Sequence, residues 1–468
     1  MMKIVTLRPR IPWVWVPVIC LPWVAGGYVE FCSGAPLTFT LRKFVDDPVV
    51  ISLLSSINVA FNFLVGAVAC YMSDRIWTRH GRRRPFLVLG WLGVAVSLWL
   101  IPVVGSLGAL IVVVLVYQFF QDIASPVEPL YNEVIPQSQR GRASIVRLTL
   151  VKASGILCSA VLIAQYDSRY RIAAFGKTVR FGGDHVIFAL GSLFLLVVVA
   201  VMFFFVRESE PLHKARIERF KVGQFVKTMF GDRQSWMVYA LWMAPALIGA
   251  GMGALMPLFQ TEQLGLTKKD LGFMGAVWLP FDLLLFTPLS GYLVDRVNRL
   301  RLMQLGILIP ALVSLAFFVY VRWVAHFVVT VWTVLSFGLA GGFFSAWMYT
   351  VWGPVLYDYI PANRMGTVSA GLCIVGGVSR FVLMNLGGLW VKAFTGVFGP
   401  VGRPDARPPR YDYSCGYILN FLLALVALGL LLVFERAVKQ GRVIPYGRLE
   451  LKEEEQREKP AAAQEAET

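Results

Sequence analysis

The sequence predicts an all-α membrane protein in which twelve transmembrane helices form two six-helix halves. Three observations lead to this fold class. The 468 residues are 57% apolar and 15% charged, whereas soluble domains are about 45–50% apolar and about 25% charged. Twelve apolar stretches are each long enough to cross a bilayer, which takes about 20 helical residues. Short sequence patterns also recur between the two halves of the chain.

The predicted spans fall into two groups of six, separated by a basic loop. They cover residues 11–35, 50–72, 86–104, 108–135, 146–166, 184–206, 236–258, 270–294, 301–321, 326–358, 366–390 and 414–436, and we call them spans 1 to 12. The first half is then residues 1–206, the central loop 207–235 and the second half 236–440. Residues 441–468 are rich in charge and predict a disordered cytoplasmic tail.

The end of span 4 resembles the end of span 10. PLYNEVIPQSQRGRAS begins at Pro129, and PVLYDYIPANRMGTVS begins 225 residues later at Pro354. Asp74 after span 2 is matched by Asp295 after span 8, 221 residues later, and an arginine follows each. Two independent matches at nearly one offset indicate two parallel repeats, which is the plan of major-facilitator transporters.

The net charge of +16 is compatible with binding to nucleic acid, with binding to anionic lipid, or with a topology signal. Sorting the 44 lysines and arginines places 28 on the side of the termini, 13 on the other side and three within the spans. The positive-inside rule then predicts cytoplasmic termini in a plasma or bacterial inner membrane. The charge therefore points to the lipid bilayer as the partner and not to nucleic acid.

Several function classes find no support in the sequence. The six cysteines form no CxxC pair and the four histidines lie in loops or at span edges, so neither a metal site nor a haem is predicted. The pattern GxxxxGK[ST] of nucleotide-driven pumps is absent. We predict that the protein is not an enzyme and that it binds no cofactor. A non-transporting sensor stays open as an alternative, although such a protein normally carries a larger cytoplasmic domain.

The loop after span 2 reads SDRIWTRHGRRRPF from Ser73 to Phe86. It resembles the loop 2–3 signature of sucrose–proton and maltose–proton symporters, a branch of the major facilitator superfamily in the glycoside–cation symporter group. The resemblance implies a monomeric transporter that takes up a small molecule, namely a sugar or glycoside, by alternating access. H⁺ is the expected coupling ion and Na⁺ the alternative.

The same resemblance implies a cytoplasmic gate. Carboxylate–guanidinium pairs are directional, and such pairs could hold the halves together in one conformation and release them in another. The alternative is that these arginines only fix topology and bind anionic lipid. The gate residues that the resemblance indicates are Asp74, Arg75, Gly81, Arg82, Asp295 and Arg296.

The chain departs from this branch in span 4. Aligned from Pro136, the places that usually hold an acid and an arginine hold Tyr117 and Glu128. The coupling residues must therefore be sought among the other intramembrane charges, since each costs about 2.5–3.5 kcal/mol to insert and so indicates function. Burial and a nearby lysine have opposite effects on a carboxyl group. The proton-coupling candidates are Glu30, Asp122, Glu128 and Lys152, of which Lys152 tunes the acids.

Polar and aromatic side chains within the spans are the candidate substrate contacts. Amides offer donors and acceptors to sugar hydroxyls, and a deep aromatic ring can stack on a pyranose ring. The alternative for each is bonding or packing between helices. The candidates are Asn58, Asn62, Gln118, Gln121, Trp278, Asp282, Trp347 and Arg380.

Two other cargoes stay open. FCSGAPLTFT, from Phe31 to Thr40, resembles the first span of muropeptide permeases more weakly. The acidic, aromatic interior would also suit an exporter of cationic drugs. The direction of transport separates import from export.

Overall fold

The structure is a computed structural model, and it describes residues 12–73, 76, 78–79, 81–127, 130, 135, 139–174, 177–205, 222–249, 251–294, 296–360, 365–399, 401–404 and 408–443. Each of the twelve predicted spans is helical over most of its described length. Among the described residues, eight helices are long and apolar enough to cross a membrane, and three shorter apolar helices accompany them. The prediction of a twelve-span helical membrane protein is confirmed.

The bounds of the helices follow the predicted order. Spans 1 to 6 comprise Trp15–Ser33 with Ala35–Arg42, Pro48–Phe61 with Asn62–Gly66 and Ala67–Ser73, Arg84–Leu100, Leu107–Ile123, Arg140–Leu157 with Cys158–Leu162 and Ile163–Gln165, and Gly183–Phe205. A short helix of the central loop comprises Val222–Phe230. Spans 7 to 12 comprise Arg233–Leu247 with Met256–Leu258 and Phe259–Gln263, Lys268–Phe281 with Asp282–Phe286 and Thr287–Val294, Arg299–Val319 with Tyr320–Val324, Val331–Tyr359, Met365–Phe394, and Gly416–Lys439.

Span 4 is interrupted before its predicted end. Its helix ends at Ile123, and the amides of Ala124 and Ser125 bond to carbonyls three residues earlier. Pro126 follows, which has no N–H and whose ring clashes with the carbonyl four residues before it. The continuous helix predicted to residue 135 is therefore broken here.

The loop between spans 5 and 6 contains two strands that the all-α prediction omits. Strand β1 (Arg169–Ala174) pairs antiparallel with β2 (Lys177–Gly182). Tyr170 and Phe181 face each other across the hairpin with ring centroids 5.6 Å apart, and such cross-strand aromatic pairs stabilise hairpins. We call this end of the molecule the hairpin end, and the opposite end, where the spans adjoining the chain termini begin and finish, the terminal end.

The repeat seen in the sequence reappears as matching helix crossings. Span 3 packs on spans 4 and 6, and span 9 packs on spans 10 and 12. A Cβ atom on Gly90 of span 3 would lie 2.8 Å from the carbonyl oxygen of Phe120, and one on Gly306 of span 9 would lie 2.9 Å from that of Phe344. Both crossings therefore bring helix backbones together at a glycine.

The two halves meet through span 2 with span 11 and through span 5 with span 8. At the hairpin end a single hydrophobic core contains residues of both halves, including Leu37 and Leu41 of span 1 with Phe259 of span 7. Toward the terminal end, the described buried residues form separate clusters around Ile19 in the first half and Met303 in the second. The halves are thus joined at the hairpin end. At the terminal end the described residues of the two halves form separate cores.

Candidate functional site

A cavity of ≈ 1230 Å³ lies between the two halves. Its wall is built by spans 1 and 5 of the first half and by spans 7, 8, 9, 10 and 12 of the second. Most of the lining side chains are apolar or aromatic, and the polar ones are hydroxyls and amides together with Lys152 and Asp282. A cavity of this size and lining can enclose a small organic molecule and orient it through a few polar groups.

The central polar feature of this cavity is an ion pair that joins the halves. Lys152 of span 5 donates to Asp282 of span 8 at 2.5 Å and to the hydroxyl of Thr287 at 2.8 Å. The Thr287 hydroxyl in turn lies 3.2 Å from the second carboxylate oxygen of Asp282. The side chains of Lys152 and Asp282 are 22% and 23% exposed. Both remain accessible from the cavity, so a proton or a substrate can reach them.

Small residues bring spans 5 and 8 close enough for this pair. A Cβ atom on Gly275 would lie 2.7 Å from Cβ of Ser159, and one on Gly272 would lie 3.0 Å from the carbonyl oxygen of Ala160. Span 5 changes to a π-helical turn at Cys158–Leu162, beside this contact. The sequence prediction placed Lys152 beside the acids of the first half. The structure instead brings it to Asp282, because these glycines let the two helices pack against each other.

The two predicted tryptophans have different surroundings. Trp278 lines the cavity. Its ring packs directly on Gly342, where an added Cβ atom would lie only 2.0 Å from the nearest ring atom. Trp347 is not among the cavity-lining residues, because its ring packs on Phe343 and Phe344 with centroids 5.4 and 4.8 Å apart. Trp278 is therefore placed to touch a substrate in this conformation, and Trp347 is not.

A second polar cluster lies within the first half, between spans 2 and 4. Asn62 donates to one carboxylate oxygen of Asp122 at 3.0 Å, and Asp122 is only 4% exposed. Within the described part of the chain, its second oxygen and both polar atoms of the fully buried Gln118 have no hydrogen-bond partner, and neither has the side-chain oxygen of Gln121. Gln118 does not reach the cavity in this conformation, because it faces the interior of the first half.

Two other predicted residues carry charges outside the lining of the cavity. Glu30 is exposed and precedes Phe31, a cavity residue. Arg380 is exposed on span 11, a span that contributes no described residue to the lining of the cavity. The structure does not bring Glu30 and Asp122 together with Lys152 in one network.

The predicted cytoplasmic gate is described only in part. Gly81 has φ = 106°, a conformation that favours glycine, and it closes a tight turn with Thr78 through backbone bonds in both directions. Arg82 follows this turn, half-buried. The guanidinium of Arg296 lies 4.1 Å from the ring centroid of Tyr292. Outside the described residues lie Asp74, Arg75, Glu128, Asp295 and the side chain of Asn58.

Ion pairs at the hairpin end were not predicted from the sequence. Arg42 of span 1 binds Glu262 of span 7 through two bonds of 2.5 and 3.1 Å. Two further pairs cross between the halves here, each with a distance of 2.5 Å: Asp47 with Lys392, and Asp167 with Lys268. We call these three ion pairs the hairpin-end latch. In sequence these are ordinary loop charges, and no spacing or motif connects residues so far apart.

The Asp47–Lys392 pair keeps its charge at neutral pH. The Lys392 ammonium lowers the pKa of the Asp47 carboxyl below its ordinary value of about 3.9. Because the pKa is lower in the folded protein, the stabilisation is present above about pH 4 and is lost as pH falls through the lowered value. A pH gradient in the physiological range therefore does not act by titrating this carboxyl group.

Arg42→Gln is expected to open the hairpin end more often, by about threefold to tenfold, because it removes a bidentate pair that spans the halves. The measurement is the labelling rate of Leu37→Cys, which is 1% exposed here, by a membrane-impermeant maleimide in a variant without the six native cysteines. Lys439→Gln, which removes an exposed pair within span 12, is the control. Equal labelling rates in Arg42→Gln and the control would contradict the latch.

Comparisons with known proteins bear on the fold and the family. A family model described as Major Facilitator Superfamily matches residues 27–322, and no curated protein matches the sequence significantly. A POT family transporter in complex with 5-aminolevulinic acid has a similar structure, with a TM-score of 0.67 and 11% identity over 91% of this chain and 96% of that one. A bacterial homolog of the human lysosomal transporter Spinster, inward-facing and unoccupied, gives a TM-score of 0.63 and 13% identity over 90% and 95%.

Proposed function

The chain belongs to the Major Facilitator Superfamily and is a membrane transporter of that type, and on this premise we propose that it imports a sugar or glycoside together with a proton. In this proposal the substrate binds in the cavity between the halves, which rock around it. The coupling ion is H⁺, with Na⁺ as the alternative, and the transporter works as a monomer. No cofactor takes part.

The ion pair between Lys152 and Asp282 carries this proposal. It joins the two halves at the cavity wall, so breaking it loosens one half from the other. A proton on Asp282, or a substrate hydroxyl that replaces the carboxylate as partner of Lys152, breaks it locally. Binding in the cavity is thereby connected to the relative movement of the halves, which alternating access requires.

The distribution of contacts supports an assignment of the side of the membrane to which the cavity opens in this conformation. The latch and the shared hydrophobic core hold the hairpin end closed, while the described cores are separate toward the terminal end. Because the positive-inside rule assigns the terminal end to the cytoplasm, we take this conformation as the inward-facing one of a plasma or inner membrane protein.

Asp122 is the proposed second proton site. Its carboxyl group is buried, and one of its oxygens has no hydrogen-bond partner among the described residues. Asn62 connects it to span 2, which packs on span 11 of the other half. Protonation of Asp122 can therefore change the contact between spans 2 and 11, which belong to different halves.

The test is flux into liposomes that contain the full chain. Sucrose, maltose and a neutral glycoside are offered with an inward proton gradient, with an inward sodium gradient and with neither. Proton-driven accumulation is expected for at least one sugar, and Asp122→Asn is expected to reduce it at least tenfold while substrate exchange continues. Lys439→Gln is the control. Undiminished accumulation in Asp122→Asn would remove this residue from the mechanism, and absence of sugar flux would refute the substrate class.

A zwitterionic peptide or amino-acid derivative is the second candidate substrate. The cavity presents a lysine and an aspartate side by side, which suits a molecule with both charges. One similar structure is that of a POT family transporter bound to 5-aminolevulinic acid. Adding 5-aminolevulinic acid and dialanine to the flux panel separates this candidate from the sugar, and a muropeptide and a cationic dye test the remaining cargoes.

A further inference from the structure

The β-hairpin between spans 5 and 6 is strongly basic. From Ser168 to Gly183 the sequence contains three arginines and one lysine, and it contains no acidic residue. The positive-inside rule assigns the terminal end to the cytoplasm, so the hairpin lies on the side where cations are expected to be scarce. Topology therefore does not explain these four cations, and a role at the hairpin itself has to be sought.

The strand register places the three arginines on one face of the hairpin. Arg171 pairs with Arg180, and Arg169 lies two residues before Arg171 on β1. Directly opposite residues share a face of a sheet, and so do residues two apart on one strand. The aromatic pair of Tyr170 and Phe181 occupies the other face. The hairpin therefore has a cationic face and an aromatic face.

The cationic face has no counter-ion among the described residues. All three arginines are exposed, and within the described part of the chain none of them makes a hydrogen bond or an ion pair. The two carboxylates that flank the hairpin in sequence already have lysine partners. Asp167 pairs with Lys268 at 2.5 Å, and Asp184 pairs with Lys43. Neither flanking carboxylate is therefore left to neutralise the cationic face.

The facing arginines are unfavourable for the hairpin on its own. The Cβ atoms of directly opposite residues lie about 4.5–5.5 Å apart, and like charges in such a pair destabilise the strands. Arg171 and Arg180 are such a pair. Each guanidinium group can donate two parallel bonds to a phosphate. An anion that binds to both groups would therefore relieve the repulsion between them.

The hairpin stands at the surface of the membrane. β2 leads directly into span 6 at Gly183, whose amide bonds to the carbonyl of Ser168. The 23 residues of span 6 give about 34 Å of helix, little more than the hydrocarbon thickness of about 30 Å. Arg180 is three residues from Gly183, which is at most about 10 Å, and the headgroup layer is about 5–8 Å deep. Long arginine side chains at this height can reach lipid phosphates.

Span 6 faces lipid and stands apart from the transport path. Its residues Leu190, Leu193 and Val197 are exposed, and no described residue of this span lines the cavity. A ligand on the cationic face is therefore better explained as a component of the surrounding bilayer than as a substrate that is about to enter the cavity.

We propose that the cationic face of the hairpin binds the headgroup phosphate of an anionic phospholipid in the leaflet at the hairpin end. A phosphodiester carries one negative charge and two free oxygens, which match two facing guanidinium groups. A zwitterionic lipid offers the same phosphate together with an ammonium group that the arginines repel, so a headgroup such as phosphatidylglycerol is favoured. Lipid bound here would hold the adjoining ends of spans 5 and 6 at the membrane surface, whichever substrate the cavity takes.

The experiment measures lipid binding locally at the hairpin of the full chain in phosphatidylcholine liposomes. Ser168→Cys, in a variant without the six native cysteines, carries a bimane fluorophore at the foot of the hairpin. Quenching by doxyl-labelled phosphatidylglycerol and by doxyl-labelled phosphatidylcholine gives the relative binding constant of the two lipids at this place. Dextran sulfate and inorganic phosphate are added as soluble competitors, since either could take a site built for phosphate.

Matched variants separate the cationic face from charge in general. Arg171→Gln with Arg180→Gln removes the facing pair, and Arg171→Glu converts it into a cross-strand pair of opposite charges, which stabilises a hairpin. Arg410→Gln is the control, because it removes an exposed cation at the same end of the molecule that already has Asp46 3.8 Å away. The thermal unfolding of each variant is measured in detergent without added lipid.

We expect phosphatidylglycerol to be preferred by about fivefold to tenfold at the hairpin. The double variant and Arg171→Glu should abolish this preference, and Arg410→Gln should keep it. Arg171→Glu should unfold at the same temperature as wild type or above, whereas a lower temperature would show that Arg171 is structural and overturn the inference. Equal quenching by both lipids, or a preference that survives the double variant, would also overturn it. Displacement of phosphatidylglycerol by dextran sulfate or by inorganic phosphate would overturn the lipid in favour of a soluble anion.

Discussion

Lys152→Gln is expected to lower proton-driven accumulation by roughly a hundredfold. The substitution leaves Asp282 charged within the membrane and without its counter-ion. Removing one partner of a buried pair costs about 3–5 kcal/mol, and because both side chains are about a fifth exposed we take the lower limit. About 3 kcal/mol corresponds to roughly two powers of ten in the balance between conformations. Liposomes with an imposed proton gradient measure the accumulation.

A double variant separates coupling from structure. Lys152→Gln combined with Asp282→Asn removes both charges, so no unpaired ion remains and substrate exchange without a gradient is expected to return to nearly the wild-type rate. Accumulation should stay low, because the carboxyl group that binds the proton is gone. Wild-type accumulation by the double variant would show that the pair is structural only, and wild-type accumulation by Lys152→Gln alone would refute the assignment. Lys439→Gln serves as the matched control.

Gly388→Leu is expected to prevent the hairpin end from closing and so to abolish transport. At this position of span 11, a Cβ atom would lie 2.7 Å from the carbonyl oxygen of Pro48 and 2.8 Å from the Ser52 hydroxyl. The first of these contacts is with backbone, which cannot rotate away as a side chain can. The two halves would therefore have to move apart at the hairpin end, and the conformation described here would be lost.

Cysteine labelling at the hairpin end tests this steric prediction. Leu37→Cys should be labelled at least tenfold faster in the Gly388→Leu background, because the shared core can no longer form. Gly429→Leu in span 12 is the control, since a Cβ atom there meets no atom of the described residues within 4 Å and the substitution only adds a lipid-facing side chain. Slow labelling together with normal transport in Gly388→Leu would show that spans 2 and 11 do not need this close contact.

Hydropathy was sufficient to locate the helices but not their partners. The length and apolar character of each stretch determine that it crosses the membrane, and the repeated pattern beginning at Pro129 and Pro354 pairs the halves. The break in span 4 was also readable in principle, since Pro126 is incompatible with an uninterrupted helix. The β-hairpin was missed because its apolar residues alternate over too few positions to stand out among loop residues.

Pairing across the halves depends on helix rotation and crossing, which a single sequence does not contain. Lys152 and Asp282 are 130 residues apart, and each was recognised as a charge at membrane depth. That they bind each other depends on Gly272 and Gly275, whose role becomes visible only when the two helices are side by side. For the same reason the sequence predicts Gln118 as a substrate contact, although its side chain is fully buried in this conformation.

The π-helical turn Asp282–Phe286 makes the length of span 8 a functional property. In a regular α-helix the fifth residue after Asp282 points about 140° away from it, but here Thr287 bonds to Asp282. A π turn corresponds to one residue inserted into an α-helix. Deleting one residue between Asp282 and Thr287 would restore a regular α-helix in which the two side chains, then four residues apart, still share a face. Adding one residue would place them six apart and on different faces of the helix. The Asp282–Thr287 bond should therefore survive the loss of one codon in this stretch better than the gain of one.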